Sequence, residues 1–136
     1  MRILTADQIK KAESTAFERY FTEAQLMKKA GEKCFEKIVE YYGELIRGKK
    51  VSVVCGNGKN AGDGFVIAKN LLQFGALAEI VIADRFPTLP EPLLYFEEAE
   101  KAGVAAVPFE EAQLSETLIV DCIFGIGFHG EPKEPF

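Results

Sequence analysis

Val51-Ser-Val-Val-Cys-Gly-Asn-Gly-Lys-Asn-Ala-Gly-Asp-Gly64 is the stretch that decides the fold. Its first five residues form a short, uninterrupted, β-branched apolar run. Such a run suits a strand buried on both faces, as in a parallel sheet. Gly56 to Gly64 reads as a glycine-rich loop. Phe65, Ala68 and Leu72 then recur at helical spacing, and Gly75 closes the helix. A buried strand, a glycine loop and a helix in that order is the start of a βαβ unit.

The same alternation continues toward the C-terminus. Leu77 to Ala83 reads as a second strand, and Phe86 to Pro92, with three prolines, as loop. Leu93 to Ala102 is helical and closed by Gly103, Val104 to Val107 is a short third strand, and Leu118 to Ile123 is another buried strand. Toward the N-terminus, Thr5-Ala-Asp-Gln8 has the form of a capping box, with Ile9, Ala12 and Ala16 after it at helical spacing. A second helix start reads at Thr22-Glu-Ala-Gln25. Met27, Ala30, Cys34, Ile38 and Tyr42 step along its face, with Leu26, Phe35 and Val39 beside them, until Gly43 or Gly48. The expected fold is a parallel α/β sheet with right-handed crossovers and flanking helices. Only three or four strands are available for it, so the domain reads as incomplete.

Composition narrows the function. The 136 residues suit one domain, and 48% hydrophobic with 27% charged is an ordinary globular balance. The net charge of −5 argues against a nucleic-acid binder that works through a basic face. It does not exclude a phosphorylated small molecule, which helix-start amides can hold. Cys34, Cys55 and Cys122 are scattered thiols with no CxxC pair. They suit a reducing compartment and read as small buried hydrophobes. Residues 1–11 hold no signal-peptide core, and no apolar run is long enough to span a bilayer. A cytoplasmic protein without a membrane partner is expected.

Two loops carry the chemistry. The first is not a phosphate loop of the Walker type, because Asn60 stands where Ser or Thr is required. Gly56, Gly58 and Ala61 do satisfy the looser G-x-G-x-x-G/A, and Asp84 ends the second strand where a ribose-binding acid would sit. That keeps open an NAD-dependent oxidoreductase. Asp63 counts against it, since a carboxylate at a helix start repels phosphate and competes for the same amides. The plain reading of Asp63 is an N-cap. The second loop, Asp121-Cys-Ile-Phe-Gly-Ile-Gly-Phe-His-Gly-Glu131, repeats the pattern in Gly125, Gly127 and Gly130. Asp121 alone reads as a cap for the following turn. Two such loops after parallel strands emerge on one edge of a sheet and can wall one cleft. His129, the only histidine, reads as a solvent-facing loop residue, and the sequence shows no cluster of transition-metal ligands.

Gly56 to Leu71 resembles the Gly-Asn-Asn-Gly-Gly-Asp-Gly signature of the NAD(P)H-hydrate epimerases, the YjeF N-terminal domain family. Val120 to Glu131 is similar to that family's second motif, Asp-Ala-Leu-Phe-Gly-Thr-Gly-Leu-x-Gly. Leu26-Met-Lys-Lys-Ala-Gly31 resembles its Leu-Met-x-x-Ala-Gly. The resemblance implies a Rossmann-like, three-layer α/β/α fold, here truncated, with residues 1–136 as part of the family domain. It implies interconversion of the R and S epimers of NADHX and NADPHX, with a potassium ion in the site. Lys59, Asn60, Ala61, Gly62 and Asp63 would line the substrate, as would Gly125, Ile126, Gly127, Phe128, His129, Gly130 and Glu131. Asn60 and Asp121 would give oxygens to potassium.

Lys59 and Ala61 depart from the signature, where the family has Asn and Gly. Ala61 adds a Cβ at a place that, read as loop, would favour positive φ. The family's Asp-(Ile/Val)-Pro-Ser-Gly motif, which brings its acid/base, does not occur in these residues. No catalytic residue is therefore assigned, and little or no turnover is expected from the 136 residues alone. A homodimer and a fusion to an NAD(P)H-hydrate dehydratase domain are both compatible with the resemblance. The competing reading from another class is a non-enzymatic binding or dimerisation module of the same fold.

Overall fold

A computed structural model describes residues 16–123 and 127–130, with side chains over 23–123. The expected capping box at Thr5 to Gln8, with Ile9 and Ala12, lies outside the described residues. The chain order is α1 (Ala16–Tyr42), β1 (Lys50–Cys55), α2 (Lys59–Phe74), β2 (Leu77–Ile82), α3 (Pro90–Ala102), β3 (Ala105–Pro108), β4 (Leu118–Cys122) and β5 (Gly127–Gly130). A 3-10 turn, Gly43–Ile46, joins α1 to β1, and another, Phe109–Glu111, follows β3.

α1 is a single 27-residue helix that runs straight through Thr22. The second start expected there does not form. Ala16, Glu18 and Arg19 precede it and Glu23 to Lys29 follow, with no proline or glycine to break the backbone before Gly31. The buried stripe is Ala24, Met27, Gly31, Ile38 and Tyr42, with Cys34 and Phe35 half-buried. Ala30 and Leu26 are exposed, and Gly31 takes the inward place expected of Ala30. The helix ends at Gly43, whose φ is +39°.

The sheet order is β3-β2-β1-β4-β5. β1 pairs in parallel with β2 and with β4, and β2 in parallel with β3. β1 is buried on both faces, as its apolar run requires. α2 packs on β1, β2 and β4, between α1 and α3. Its Phe65, wholly buried, meets Phe96 of α3 edge-on at 5.1 Å between ring centres. Gly75 and Gly103 stop α2 and α3 at φ +114° and +106°, so the expected glycine stops are the observed ones.

Boundaries also differ from expectation at α3 and β5. α3 begins at Pro90, inside the proline-rich stretch read as loop. A proline in the first helical turn loses no hydrogen bond, because its missing N–H has no intrahelical acceptor there. The segment over 127–130, expected as loop, is instead a strand antiparallel to β4, with Asp121 opposite Gly127 and Leu118 opposite Gly130. Its glycines lower strand propensity, but pairing with the edge of β4 satisfies the backbone groups of both strands.

The return from β3 to β4 contains no α-helix. Ser115 pins it beneath β1. Its backbone N–H donates to Ser52 Oγ at 2.8 Å, and its own Oγ accepts from the amides of Thr117 and Leu118. Lys50 Nζ donates to the Gln113 carbonyl beside it. This anchored crossing carries the chain to the far side of β1.

Candidate functional site

The chain leaves β1 toward β2 on one side and comes back as β4 on the other. The direction of strand order thus reverses between β1 and β4, and a crevice opens outside the carboxyl ends of strands at such a place. Both quoted motifs begin there. Gly56 follows β1, and Ile123 follows β4. A Cβ on Gly56 would lie 3.2 Å from the Ile123 carbonyl oxygen, so the two segments touch and glycine is what lets them. Asp121 Oδ1 accepts the Ile123 N–H at 3.1 Å. The turn-capping reading of Asp121 is therefore realised, and its second carboxylate oxygen makes no hydrogen bond among the described residues.

The first loop is shorter than it reads. Only Gly56 to Gly58 lie outside regular structure, and α2 begins at Lys59. Gly58, extended at φ −92° and ψ −166°, occupies the N-cap without a side-chain bond. Asn60, Ala61, Gly62 and Asp63 are consequently helical. Asp63 is no N-cap; it sits past the first turn. Ala61 is buried in ordinary helical geometry, and no described non-glycine residue has positive φ. Its departure from the family signature thus creates no backbone strain. Lys59 is exposed, while Asn60 is half-buried and already engaged with a neighbour.

The glycines within the helix serve packing. A Cβ on Gly64 would come 2.7 Å from Cys55 Sγ and 3.1 Å from Cys122, the side chains that β1 and β4 turn toward α2. Gly31 of α1 would meet Val66 Cβ at 2.7 Å. Because successive side chains on a strand alternate, Cys122 facing α2 means that Asp121 faces the opposite side of the sheet. Asp63 and Asp121 share the carboxyl edge but belong to different faces.

Asp63 borders an open cleft of about 280 Å³ between α1 and the N-termini of α2 and α3. Glu23, Leu26, Met27, Ala30, Lys59, Asn60 and Glu91 complete its lining. Burial pushes the Asp63 carboxyl up to about 6. Its folded state therefore binds a proton more readily than its unfolded state. The Asp63 contribution favours folding at low pH and is lost as pH rises from the ordinary carboxylate range through about 6. Asp63→Asn should remove this slope. Its stability relative to the parent, measured by urea denaturation from pH 4 to 7.5, is expected to improve with rising pH and level off above 6; a constant difference would contradict the assignment.

Burial raises Cys34 to about 11, with Cys122 and Asp63 nearby adding to the shift. Burial also holds Cys55 well above the usual thiol range, with the neighbouring Cys122 thiol and Asp121 adding to the shift. All three cysteines are free; Cys55 and Cys122 are buried, as expected of small hydrophobes, whereas Cys34 is half-buried.

Of the second motif, Asp121 lies at the carboxyl edge, and Gly127 is placed opposite it. Phe128, His129 and Gly130 follow β5 back along β4, with His129 opposite Ile119, so His129 is a strand residue and not a loop residue. Gly125, Ile126 and Glu131 lie outside the described residues. Asp84, weighed as a ribose-binding acid, is exposed just past β2, one strand away from the β1–β4 crevice. Sequence reading missed Glu23 and Glu91. Glu91 was legible in Pro90-Glu-Pro, since proline followed by an acid in the first turn is a helix-start signal. No described helix is long and apolar enough to cross a membrane, and no group of three or more His, Cys, Asp or Glu among the described residues is arranged to hold a metal ion.

A family profile described as "YjeF-related protein N-terminus" matches residues 23–136. The chain is 35% identical over 121 residues to the NAD(P)H-hydrate epimerase of Puccinia graminis f. sp. tritici, covering 85% of this chain and 48% of that protein. It is 36% identical over 129 residues to the NAD(P)H-hydrate epimerase of Caenorhabditis briggsae, covering 93% and 52%. To the bifunctional NAD(P)H-hydrate repair enzyme Nnr of Coxiella burnetii it is 31% identical over 131 residues, covering 95% and 26%. The chain thus spans about half, or less, of these relatives. The crystal structure of yeast ynu0, YNL200c, superposes on all of this chain and 62% of its own with a TM-score of 0.67 at 24% identity, a likeness of fold. With its profile match running over most of its length, the chain belongs to the YjeF-related protein N-terminus family.

Proposed function

We propose that the protein carrying this chain is an NAD(P)H-hydrate epimerase, and that this chain supplies two of its substrate-binding segments. The observation that carries the reading is the meeting of Gly56 with Ile123 at the strand-order reversal, which sets both motifs beside one crevice. The relatives' names support the same reading. Lys59 to Asp63 would border the substrate from the start of α2, and Gly125 to Glu131 from the segment that follows β4.

The donors at this edge fit a potassium ion in kind. Asn60 offers an amide oxygen, and Asp121 keeps one carboxylate oxygen beyond its bond to Ile123. Large hard cations take neutral oxygens with few carboxylates. A bound ion would tie the two segments together and offset negative charge on the substrate.

The chemistry asks for cation stabilisation. At C6 of the hydrated nicotinamide ring, the hydroxyl takes up a proton and leaves as water, while the ring nitrogen's electron pair forms an iminium. Water then adds to C6 from the other face and releases a proton, so composition is unchanged and only configuration differs. A carboxylate fixed near the ring would stabilise the iminium, Asp121 from its own face of the sheet or Asp63 from the α2 face. The test is conversion of one purified epimer of NADPHX into the other, followed by chromatography against a protein-free blank. Acceleration with potassium is the expected result, and a rate equal to the blank from the whole protein would overturn the proposal.

A further inference from the structure

Cys55 ends β1 and Cys122 ends β4, and the two are register partners across adjacent parallel strands. Neighbouring strands lie roughly 5 Å apart, inside the Cα separation of about 4.4–6.8 Å that a disulfide spans. Both side chains turn toward α2. Their sulfurs lie 2.7 and 3.1 Å from the one point where a Cβ on Gly64 would sit, which holds them within about 6 Å of each other. The close approach of α2 at Gly64 asks only for small side chains beneath it, a demand that alanine also meets. Two free thiols in register add a capacity that alanine lacks. No third ligand among the described residues is arranged to complete a metal site with them.

We propose that Cys55 and Cys122 are a redox pair, which a hydroperoxide converts to a disulfide joining β1 to β4 at the strand-order reversal. One sulfur attacks the hydroperoxide; the O–O bond breaks, a sulfenic acid forms, and water or an alcohol leaves. The second sulfur then attacks the first. The S–S bond forms, the S–O bond breaks, and the hydroxyl leaves as water with the second thiol's proton. The pair gives up two electrons and two protons, and the hydroperoxide takes them. Both thiols are wholly buried, so the first step waits on local opening of the carboxyl edge. Gly56 to Gly58, directly after Cys55, lie outside regular structure there. The second step is fast, because its partner is already in place. Cys34 is more exposed but sits on α1, outside the sheet. The inference is independent of the epimerase reading, because the cross-link is read as a mass and not as turnover.

The test treats the folded protein carrying this chain with hydrogen peroxide, alkylates the remaining thiols with iodoacetamide, and digests with trypsin without reductant. Mass spectrometry should find Val51–Lys59 joined to Ala102–Lys133, and dithiothreitol should release both. Cys34, in the peptide Cys34–Lys37, should stay out of any such link. The link closes a long loop and restricts the unfolded chain, so the oxidised protein should melt about 5–10 °C higher. Cys122→Ala should lose the joined peptides and the rise; Cys55→Ala serves in its place should that variant fail to fold. Absence of the joined peptides once Cys34 is fully oxidised, a link that forms only in urea, Cys34 joined as readily to either thiol, or a linked protein that melts no higher would each overturn the proposal.

Discussion

Gly31→Ala is expected to destabilise the protein by about 1–2 kcal/mol, whereas Gly62→Ala stays within about 1 kcal/mol of neutral. Both glycines lie within helices, where alanine is intrinsically better by roughly 1 kcal/mol. The difference arises from what a methyl group meets. At Gly31 the nearest atoms are Val66 Cβ at 2.7 Å, Val66 Cγ1 at 2.8 Å and the Asp63 carbonyl oxygen at 3.0 Å. None can swing away, because a β-branched side chain is stiff and the carbonyl is helix backbone. α1 and α2 must separate, and overpacking of this kind costs about 1–3 kcal/mol before the propensity gain. At Gly62 the nearest atom is Met27 Sδ at 2.0 Å, near the end of a flexible chain that opens toward the cleft. Thermal unfolding separates the two, with a drop of roughly 5 °C expected for Gly31→Ala. Equal melting temperatures would mean that the helices do not touch as described.

Asp121→Asn carries the largest expected effect on activity. In the protein carrying this chain, epimerisation should fall by about 100-fold, the scale for losing one preorganised electrostatic contact to a charged transition state. Its response to potassium should be lost as well. Folding should be preserved, because an Asn side-chain oxygen can accept the Ile123 N–H just as Asp121 Oδ1 does. Retained stability would then assign the loss to charge. Parental rate and parental potassium dependence in the variant would end the role proposed for Asp121.

The parallel core was legible because its signals are local. Val51 to Cys55 and Leu118 to Cys122 are short apolar runs broken only by Ser52 and Asp121, and Gly75 and Gly103 end helices through left-handed conformations that glycine adopts freely. Where reading failed, a tertiary contact decided. Gly62 and Gly64 look like loop residues, but they are helical and small because Met27, Cys55 and Cys122 press on them. Thr22 offers a local cap that the surrounding helix formers override. The glycines of β5 suggest a turn, yet the free edge of β4 recruits them into the sheet. The pairing of Asn60 and Asp121 with one carboxyl edge followed from strand order. The division of Asp63 and Asp121 between two faces did not, because α2 had to be placed before alternation along β4 had meaning.

The central claim is that the start of α2 and the end of β4 serve one ligand. Hydrogen–deuterium exchange on the protein carrying this chain, with NADPHX and potassium titrated in, tests it most directly. Slowed exchange over residues 56–61 and 121–123, with one shared concentration midpoint, is the predicted result. Protection of one segment without the other, or of neither, would contradict it.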